Sequence, residues 1–339
     1  MALTFANVGT NSVAYYVPLT ITNSQSTATP SPFQQMVTVN SSNYSKYLAS
    51  NLQNINFQDG SGNILNSWLE SGNSNTSTST IYWVKLPNGI PANSSVTIYY
   101  CIYATSVNAF NTTNTGIAPN LTSTYGQYDT GSNVFSFYDN FVGTSLKSTW
   151  SIFFNSGYSA GNVTVNNGLT LSGGTNWWGL ENLYQVSMPS VLEFYGENTE
   201  PSGYGITPGI ETYNGVAYLM RKPPWYIQNT INGIPQNLLV NGGTANFNVW
   251  YLVSGIYNSG SLSLMVNYSV VISQYSYSVS SSNLALLTFE NSTSVFQWVR
   301  VRAYPPNGVM PSISTTLLPG TAINRATGGI YTYNMVFIG

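Results

Sequence analysis

Apolar residues recur at every second position through most of the chain. In its first third they include Val17, Leu19, Ile21, Val37, Val39, Ile55 and Phe57. This period is typical of β-strands that bury one face, and no stretch keeps the 3.6-residue period of a helix of ordinary length. The pattern predicts an all-β protein.

The same spacing starts again after residue 160 and is interrupted by turn sequences. The paired apolar positions include Val163, Val165, Leu169, Leu171, Leu192, Phe194, Leu262, Leu264 and Val266. Asn-Gly or Gly-Gly pairs, which favour tight turns, stand at Asn167-Gly168, Gly173-Gly174, Asn214-Gly215, Asn232-Gly233 and Gly242-Gly243. Two antiparallel β-sandwich domains in tandem are expected.

Between the two runs lies an aromatic stretch, residues 134–150, which we interpret as the start of the second domain. Its expected core residues are Phe135, Phe137, Phe141, Leu146 and Trp150. A chain of 339 residues suits two domains of ordinary size, each able to bury a core of its own. We expect a β-sandwich at residues 1–133, a second at 134–320, and a C-terminal strand or tail at 321–339.

Ionisable side chains are scarce. Only 5% of residues are charged, against about a quarter in ordinary domains, the net charge is −2, and histidine is absent. A surface that binds nucleic acid needs many Lys and Arg contacts to phosphate, so nucleic acid is not an expected partner. With so little to titrate, stability should depend weakly on pH, which suggests a protein that works in an acidic medium outside a cell.

The single cysteine, Cys101, excludes an intrachain disulfide. It lies in the apolar segment 96–103 and is expected to be a small packing residue. Because it shares a strand face with Tyr99 and Tyr103, opposite the predicted core face, this second apolar face needs cover. We expect that cover to come from the other domain.

The sequence gives no sign of a membrane span, because no segment has about 18 consecutive apolar residues. No signal peptide is visible either, since the first basic residue is Lys46. We therefore expect either that an export signal was removed or that the protein leaves the cell by another route. A virion protein released by lysis would take such a route.

Five motifs in the first third of the chain fall in an order that resembles a known family. They are YVPLTITN at 16–23, INFQD at 55–59, WLES at 68–71, YWVKL at 82–86 and IPANSS at 90–95. They resemble the uncharacterised β-domain that often precedes a concanavalin A-like domain in archaeal and bacterial surface proteins. Residues 137–150, 169–174 and 298–302 resemble the concanavalin A-like (laminin-G-like) jelly roll that follows it. The resemblance implies surface display and contact with carbohydrate or matrix, but it fixes no ligand.

Residues 319–339 extend past the usual end of that jelly roll. One face of the last predicted strand would carry Tyr331, Tyr333, Met335 and Phe337. This strand either completes its own domain or docks into a neighbouring subunit. Other copies of the chain, or other subunits of a surface assembly, are accordingly expected partners.

Glycoside hydrolysis is the enzymatic activity that a jelly roll most readily suggests. Glu193 and Glu197 would share a strand face, which makes them a candidate acid–base pair. Laminarinase-type jelly rolls carry Glu-x-Asp-x-x-Glu, however, and Tyr195 stands where the Asp would be. The alternative interpretation is a pair of solvated carboxylates. Without histidine the usual Ser and Cys triads are excluded, so no catalytic residue is assigned.

Metal ligands are equally scarce, because Asp59, Asp129 and Asp139 are scattered and no Asp-rich loop is present. No metal site and no cofactor are assigned, although a single structural Ca²⁺ held through backbone carbonyls stays open as an alternative. Trp298 shares a strand face with Arg300 and Arg302. We expect a structural cation–π stack there.

Carbohydrate contact is a more natural use of this composition. Pyranose faces stack on indole and phenol rings, while amides and hydroxyls bind sugar OH groups. The candidate contacts are Trp177, Trp178, Tyr204, Tyr213, Trp225 and Tyr226. Each ring has packing in a core or an interface as its alternative role. On a strand only one of the consecutive Trp177 and Trp178 can face inward.

Asn-x-Ser/Thr sequons give glycosylation candidates, although a chain rich in Asn, Ser and Thr generates such sequons by chance. They are Asn40, Asn43, Asn75, Asn93, Asn111, Asn120, Asn162, Asn267 and Asn291. Several lie in loop-like sequence, so some would be modified in a host that glycosylates.

These observations predict a non-enzymatic structural or attachment protein with a lectin-like domain. The favoured setting is the virion surface of an acidophilic archaeal virus, with host or envelope glycans as partners. One alternative is a cell-envelope or filament adhesin whose signal peptide was removed. The other is a jelly-roll glycoside hydrolase.

Overall fold

A computed structural model of the protein describes residues 3–199, 206–221, 224–258, 260–279, 281–315 and 324–325. Within these residues the chain forms two compact units, both built almost wholly of β-strands. Unit 1 contains the described residues of 1–134 and 305–339, and unit 2 contains those of 135–304. The prediction of an all-β chain made of β-sandwiches is confirmed.

Unit 1 begins with eight strands in two sheets. They are β1 (Tyr15–Asn23), β2 (Phe33–Val39), β3 (Ile55–Gln58), β4 (Ile64–Leu65), β5 (Ser67–Ser71), β6 (Thr80–Leu86), β7 (Ser94–Ile102) and β8 (Thr115–Ile117). One sheet has the order β1-β7-β3-β4, and the other has the order β2-β6-β5-β8. All these pairs are antiparallel except β5 and β8, which run parallel. Short helices stand at Ser41–Tyr44, Pro119–Leu121 and, as α1, Gly131–Val134.

The core of unit 1 lies between its two sheets. Strand β1 buries alternate residues from Val17 onward, as its period-two sequence predicts. Rings from the two sheets meet in the middle. Tyr82 of β6 lies 5.2 Å from Phe57 of β3 and 6.0 Å from Tyr100 of β7, measured between ring centroids. These edge-on contacts join the two sheets into one sandwich.

The second apolar face of β7 is covered within unit 1. Cys101 and Tyr103 are buried against Val13, Val107 and Ala109, which come from the N-terminal segment and from the chain after β7. The expectation that the other domain covers this face is therefore wrong, because local chain already fills it. Cys101 is a packing residue, and burial raises the pKa of its thiol well above the usual value.

Unit 2 has fifteen described strands. They are β9 (Phe137–Asp139), β10 (Trp150–Phe154), β11 (Asn162–Val165), β12 (Leu169–Ser172), β13 (Trp177–Val186), β14 (Ser190–Thr199), β15 (Ile206–Thr212), β16 (Gly215–Arg221), β17 (Trp225–Ile231), β18 (Ile234–Gly242), β19 (Tyr251–Asn258), β20 (Ser261–Val266), β21 (Ser269–Tyr275), β22 (Ser282–Phe289) and β23 (Thr293–Ala303). A seven-stranded sheet has the order β10-β13-β22-β15-β16-β17-β18. An eight-stranded sheet has the order β11-β12-β23-β14-β19-β20-β21, with β9 beside β23.

The core of unit 2 fills the space between these sheets. The expected core residues Phe141 and Trp150 are buried in it, and Phe137 and Leu146 pack against it. A hydrogen bond links the sheets, since the Tyr218 hydroxyl on β16 donates to the carbonyl of Ile256 on β19 over 2.6 Å. The stretch that opens unit 2 therefore supplies core side chains, as its aromatic spacing predicts.

After β23 the chain returns to unit 1, where a short 3₁₀ helix (Pro306–Gly308) precedes β24 (Ser312–Thr315) and β25 (Asn324–Arg325). Both strands pair antiparallel with β1. The expected second domain, 134–320, is corrected by this pairing. Residues 305–315 belong to unit 1, and β24 extends its first sheet, because β1 has an edge that the preceding strands leave unpaired. The predicted assembly residues Tyr331, Tyr333, Met335 and Phe337 lie outside the described residues.

Helices are short throughout the described ranges. None is long and apolar enough to cross a membrane.

Candidate functional site

The structure separates the six predicted sugar-contacting rings into three groups. Trp178 and Trp225 are buried in the core of unit 2, with exposures of 0% and 1%. The prediction of a surface role is wrong for both. Trp178 is the inward residue of a consecutive pair, and Trp225 is the first residue of strand β17, with its side chain in the core. Tyr204 lies outside the described residues. The remaining three rings come together.

Trp177, Tyr213 and Tyr226 are half-buried and pack on one apolar cluster of the seven-stranded sheet. The cluster contains Phe153, Ala217, Leu219, Ala285 and Leu287, with Ile234 beside it. We call these nine residues the aromatic face. It lies on the side of the sheet that points away from the core of unit 2.

Strand alternation produces this face. On β16, Val216 and Tyr218 enter the core, so Ala217 and Leu219 point outward. On β22, Leu284 and Leu286 enter the core, while Ala285 and Leu287 point outward. Strands that are apolar on both sides have continuous apolar runs in their sequence. Here these runs are VAYL at 216–219 and LALL at 284–287. Those runs were the available signal for a second buried face.

Phe153 fixes one end of the aromatic face. Its ring lies against the backbone of Gly233, where any Cβ would overlap the ring. Gly233 also has a φ of +72°, a conformation that favours glycine. The Asn232-Gly233 turn, predicted from sequence, therefore has a packing role in addition to its role as a hairpin.

Backbone hydrogen bonds position Tyr213. Its N–H donates to the carbonyl of Asn283 over 2.7 Å, and its carbonyl accepts from the N–H of Gly233 over 2.6 Å. Its ring meets Phe153 edge-on at 5.4 Å. These hydrogen bonds connect the turn between β15 and β16 to β22 and to the turn between β17 and β18. The position of the Tyr213 ring is therefore fixed by the fold.

The opposite sheet carries a buried charged cluster. Glu193 of β14 is fully buried, and its two carboxylate oxygens accept four hydrogen bonds. The donors are the Nε of Arg300 at 2.6 Å, the Nε and Nη2 of Arg302 at 3.1 and 3.0 Å, and the Ser254 hydroxyl at 2.7 Å. We call these four residues the arginine cluster.

The electrostatics of the arginine cluster keep Glu193 ionised. Burial alone would raise the pKa of its carboxyl, but the charges of Arg300 and Arg302 and their hydrogen bonds outweigh burial and lower it to about 2. A carboxylate without a proton at ordinary pH and without a free acceptor position is unsuited to acid–base catalysis. The expectation of a solvated carboxylate is equally wrong for Glu193, because its side chain is fully buried. Its two arginine partners lie more than 100 positions away along the chain.

Glu197 differs from Glu193 although both lie on β14. It is half-buried, and burial raises the pKa of its carboxyl. Tyr195, between them, stacks on Trp298 at 5.9 Å and contacts Trp250 at 5.1 Å between centroids. The two carboxylates therefore have different surroundings, and one of them is committed to structure.

The predicted cation–π stack is present for Arg300. Its guanidinium carbon lies 4.6 Å from the centroid of Trp298 and 4.6 Å from that of Phe135. Arg300 is thus held between two rings and the carboxylate of Glu193. This arrangement is structural and leaves the guanidinium fully buried.

Several other carboxylates also bind buried tryptophans. The indole N–H of Trp68 donates to Asp129 over 2.7 Å, that of Trp83 to Glu70 over 2.8 Å, and that of Trp150 to Asp139 over 2.8 Å. The scarce acids of this chain are therefore used to satisfy buried donors. Among the residues described, no three Cys, Asp or Glu side chains are grouped so that they could hold a metal ion.

The sequons differ in exposure. Seven of the nine asparagines are exposed, while Asn75 and Asn111 are half-buried. The side-chain amide of Asn75 donates to the carbonyls of Ser45 and Leu48, and that of Asn111 donates to the carbonyl of Ala109. Occupied sequons are therefore expected among the exposed ones: Asn40, Asn43, Asn93, Asn120, Asn162, Asn267 and Asn291.

Comparison with known proteins gives a match to one family of unknown role. Residues 51–153 match the family described as "Domain of unknown function (DUF2341)". This match runs from the turn before β3 of unit 1 to strand β10 of unit 2. It includes the aromatic stretch at which unit 2 begins.

A viral protein shares much of the sequence. The chain is 32% identical over 340 residues to "Uncharacterized protein 562" of Sulfolobus islandicus rod-shaped virus 1. The aligned region covers 87% of this chain and 58% of that protein. The chain thus spans a little over half the length of this relative.

Solved structures similar to the chain each align with about half of it. A carbohydrate-binding module, CBM66, from Bacillus subtilis has 15% identity and a TM-score of 0.35, covering 45% of this chain and 95% of that one. A β-1,3-glucanase from Mycobacterium marinum has 11% identity and a TM-score of 0.36, covering 49% and 98%. A galectin-like protein of unknown function from Bacillus subtilis has 10% identity and a TM-score of 0.38, covering 50% and 95%.

Proposed function

We propose that this protein is a non-enzymatic surface attachment protein whose second unit binds glycans through the aromatic face. The observation that carries the proposal is the convergence of Trp177, Tyr213 and Tyr226, three separately predicted rings, on one outer sheet face. Aromatic side chains that pack on small and aliphatic side chains can present their flat apolar surfaces to the CH faces of pyranose sugars. The attachment of rings to rigid strands and tied turns lowers the ordering cost of binding.

The proposed setting is the surface of a virion of an acidophilic archaeal virus. The 32% identity to a viral protein over most of this chain supports a viral source. The absence of histidine and the low number of acids support tolerance of acid, because few groups change charge between neutral and acidic pH. Immunogold labelling of purified particles tests the location, and labelling confined to host cells would contradict it.

Glycan binding is tested with the purified full chain on an array of neutral oligosaccharides and envelope polysaccharides. We expect Trp177→Ala and Tyr226→Ala each to lower binding at least about tenfold, because each removes a stacking ring. Tyr158→Ala is the matched control, since Tyr158 is 47% exposed in a turn outside the aromatic face. Unchanged binding in both face variants would overturn the proposal.

The non-enzymatic part of the proposal has its own test. The wild-type chain, incubated with soluble β-glucans, should release no reducing ends, because Glu193 is locked by four hydrogen bonds. Hydrolysis that disappears in Glu197→Gln would contradict this part and leave the glycan-binding part standing.

A further inference from the structure

A groove of about 330 Å³ lies on the outer side of the eight-stranded sheet, the sheet opposite the aromatic face. Its walls include Thr164 of β11, Thr170 of β12, Val295 and Gln297 of β23, and Trp250 just before β19. Asn166, which follows β11, also lines it. The volume is near the lower end of the roughly 300–1,000 Å³ typical of ligand pockets.

Strand register explains why these residues meet. Thr164 is the cross-strand partner of Thr170, which in turn is the partner of Val295. Between Val295 and Trp298, strand β23 has one residue more than its partner β14, and the extra residue is Gln297. A bulge of this kind bends the strand and redirects a side chain. The polar side chain of Gln297 is thereby placed beside a row of threonines.

The turn between β11 and β12, whose residues 166–168 line the groove, is held by hydrogen bonds. The N–H of Asn167 donates to the carbonyl of Gly143 over 3.0 Å, and the side-chain oxygen of Asn167 accepts from the N–H of Gly143 over 3.1 Å. Asn167 and Gly168 have φ values of +53° and +134°. The neighbouring Asn166 is therefore presented at the groove by a turn that is tied to another part of unit 2.

Four polar groups of the groove are available to a ligand. Within the described residues, no hydrogen-bond partner is found for the hydroxyls of Thr164 and Thr170, the amide of Asn166 or the indole N–H of Trp250. None of the lining residues is charged. Two hydroxyls, an amide and an indole along one open groove match the alternating OH groups and apolar CH face of a sugar ring.

We propose that this groove is a second glycan site, which takes one or two rings of a neutral saccharide. An acidic saccharide is disfavoured because the groove has no cation and Glu197 is the cross-strand neighbour of Val295. Two sources offer this chemistry: a glycan of the envelope, and an N-linked chain on Asn162. Asn162 is exposed on β11, two residues from Thr164 and on the same strand face.

The test uses the full chain made in a host without N-glycosylation, titrated with maltose, cellobiose, laminaribiose and mannobiose. Saturation-transfer NMR and calorimetry report binding. We expect at least one disaccharide to bind, with affinity lowered about tenfold or more by Trp250→Ala and several-fold by Thr170→Val, which removes a hydroxyl at nearly constant volume. Asn166→Ala, at an exposed turn position, serves as a second variant if Trp250→Ala fails to fold.

Trp177→Ala separates this inference from the proposed function. It should leave disaccharide binding at the groove unchanged while lowering retention on the glycan array. If disaccharide binding is lost in Trp177→Ala but unchanged in Trp250→Ala and Asn166→Ala, the proposal of a groove site is overturned, and the proposal of binding at the aromatic face stands. No binding of any disaccharide would also overturn it.

A chain expressed in a glycosylating host identifies the source of the saccharide. If the N-linked chain of Asn162 occupies the groove, Asn162→Gln should restore disaccharide binding that the glycosylated wild type lacks. If the glycosylated wild type and Asn162→Gln bind the disaccharide equally, the groove binds an external glycan.

Discussion

On the outer side of the eight-stranded sheet, unit 2 buries a carboxylate between two arginines, whereas on the outer side of the seven-stranded sheet it buries alanines and leucines beneath rings. Both regions lie outside the main core, and both are built by the same strand alternation. Their energetics differ. A buried ion cluster is tolerated only when each charge has a partner of opposite charge or a hydrogen bond. The loss of one member leaves a buried charge without compensation, and its desolvation cost is then large. An apolar face loses stability in proportion to the area removed.

This difference separates a structural role from the proposed binding role. The arginine cluster uses all the acceptor positions of Glu193 and leaves nothing for a ligand. In the aromatic face Trp177, Tyr213 and Tyr226 are half-buried, so a ligand could contact them without displacing the buried side chains on which they pack. We therefore expect variants of the first region to lower stability and variants of the second to lower binding.

The largest effect is expected from Glu193→Gln. The amide keeps the volume of the side chain but leaves Arg300 and Arg302 without their counter-charge in a buried site. The free energy of unfolding should fall by about 3–5 kcal/mol, measured by urea denaturation. Glu197→Gln, the same change on the same strand at a half-buried position, is the control and should cost less than about 1 kcal/mol. Equal losses in the two variants would show that the cluster is not the stabilising element.

Acid should weaken the arginine cluster within a defined pH window. The pKa of Glu193 is lowered to about 2 in the folded chain from an ordinary value of 4.5, so its contribution to stability is complete above about pH 4.5 and is lost as the pH falls toward 2. The total is on the order of 3 kcal/mol. Unfolding free energies at pH 7, 5, 4, 3 and 2 should therefore be flat down to about pH 5 and then fall.

The control for this pH dependence removes all three charges. Glu193→Leu combined with Arg300→Met and Arg302→Leu replaces the cluster by apolar side chains, an exchange that other buried ion clusters tolerate. Its stability should change less than that of the wild type between pH 5 and 2. A decline of equal steepness in both proteins would assign the acid sensitivity to other carboxylates.

Sequence reasoning found the strands because their period-two spacing is local. It could not decide which of Trp177 and Trp178 faces inward, since the phase of a strand is set by its partners in the sheet. It also missed the burial of Glu193, whose partners Arg300 and Arg302 come from a strand more than 100 positions away. The return of β24 to β1 is a pairing of the same kind, between residues almost 300 positions apart. Such pairings leave no local pattern.

A smaller effect is expected where the aromatic face depends on glycine. In Gly233→Ala, the new Cβ would overlap the ring of Phe153, and the left-handed backbone would be strained as well. We expect a loss of about 1–3 kcal/mol from overpacking in addition to the backbone cost. Gly173→Ala is the matched control, because Gly173 has nearly the same φ, +73°, with nothing within 4 Å of a Cβ. Urea denaturation of both should show the larger loss at Gly233, and equal losses would mean that Phe153 moves aside freely.

The smallest effect on stability is expected from Trp177→Ala. Comparison with Trp178→Ala contrasts the outer side of strand β13 with its core side. Trp177 is half-buried beside Phe289, with ring centroids 4.5 Å apart, so truncation should cost about 1 kcal/mol. The adjacent Trp178 is fully buried in the core and donates its indole N–H to Gly173, so Trp178→Ala should cost about 3–5 kcal/mol. Thermal melts of the two variants measure the difference in stability. Retention on immobilised glycans measures binding, and there Trp177→Ala should have the larger effect. If Trp177→Ala lowers the melting temperature as much as Trp178→Ala does, the aromatic face is a second core and not a surface for ligands.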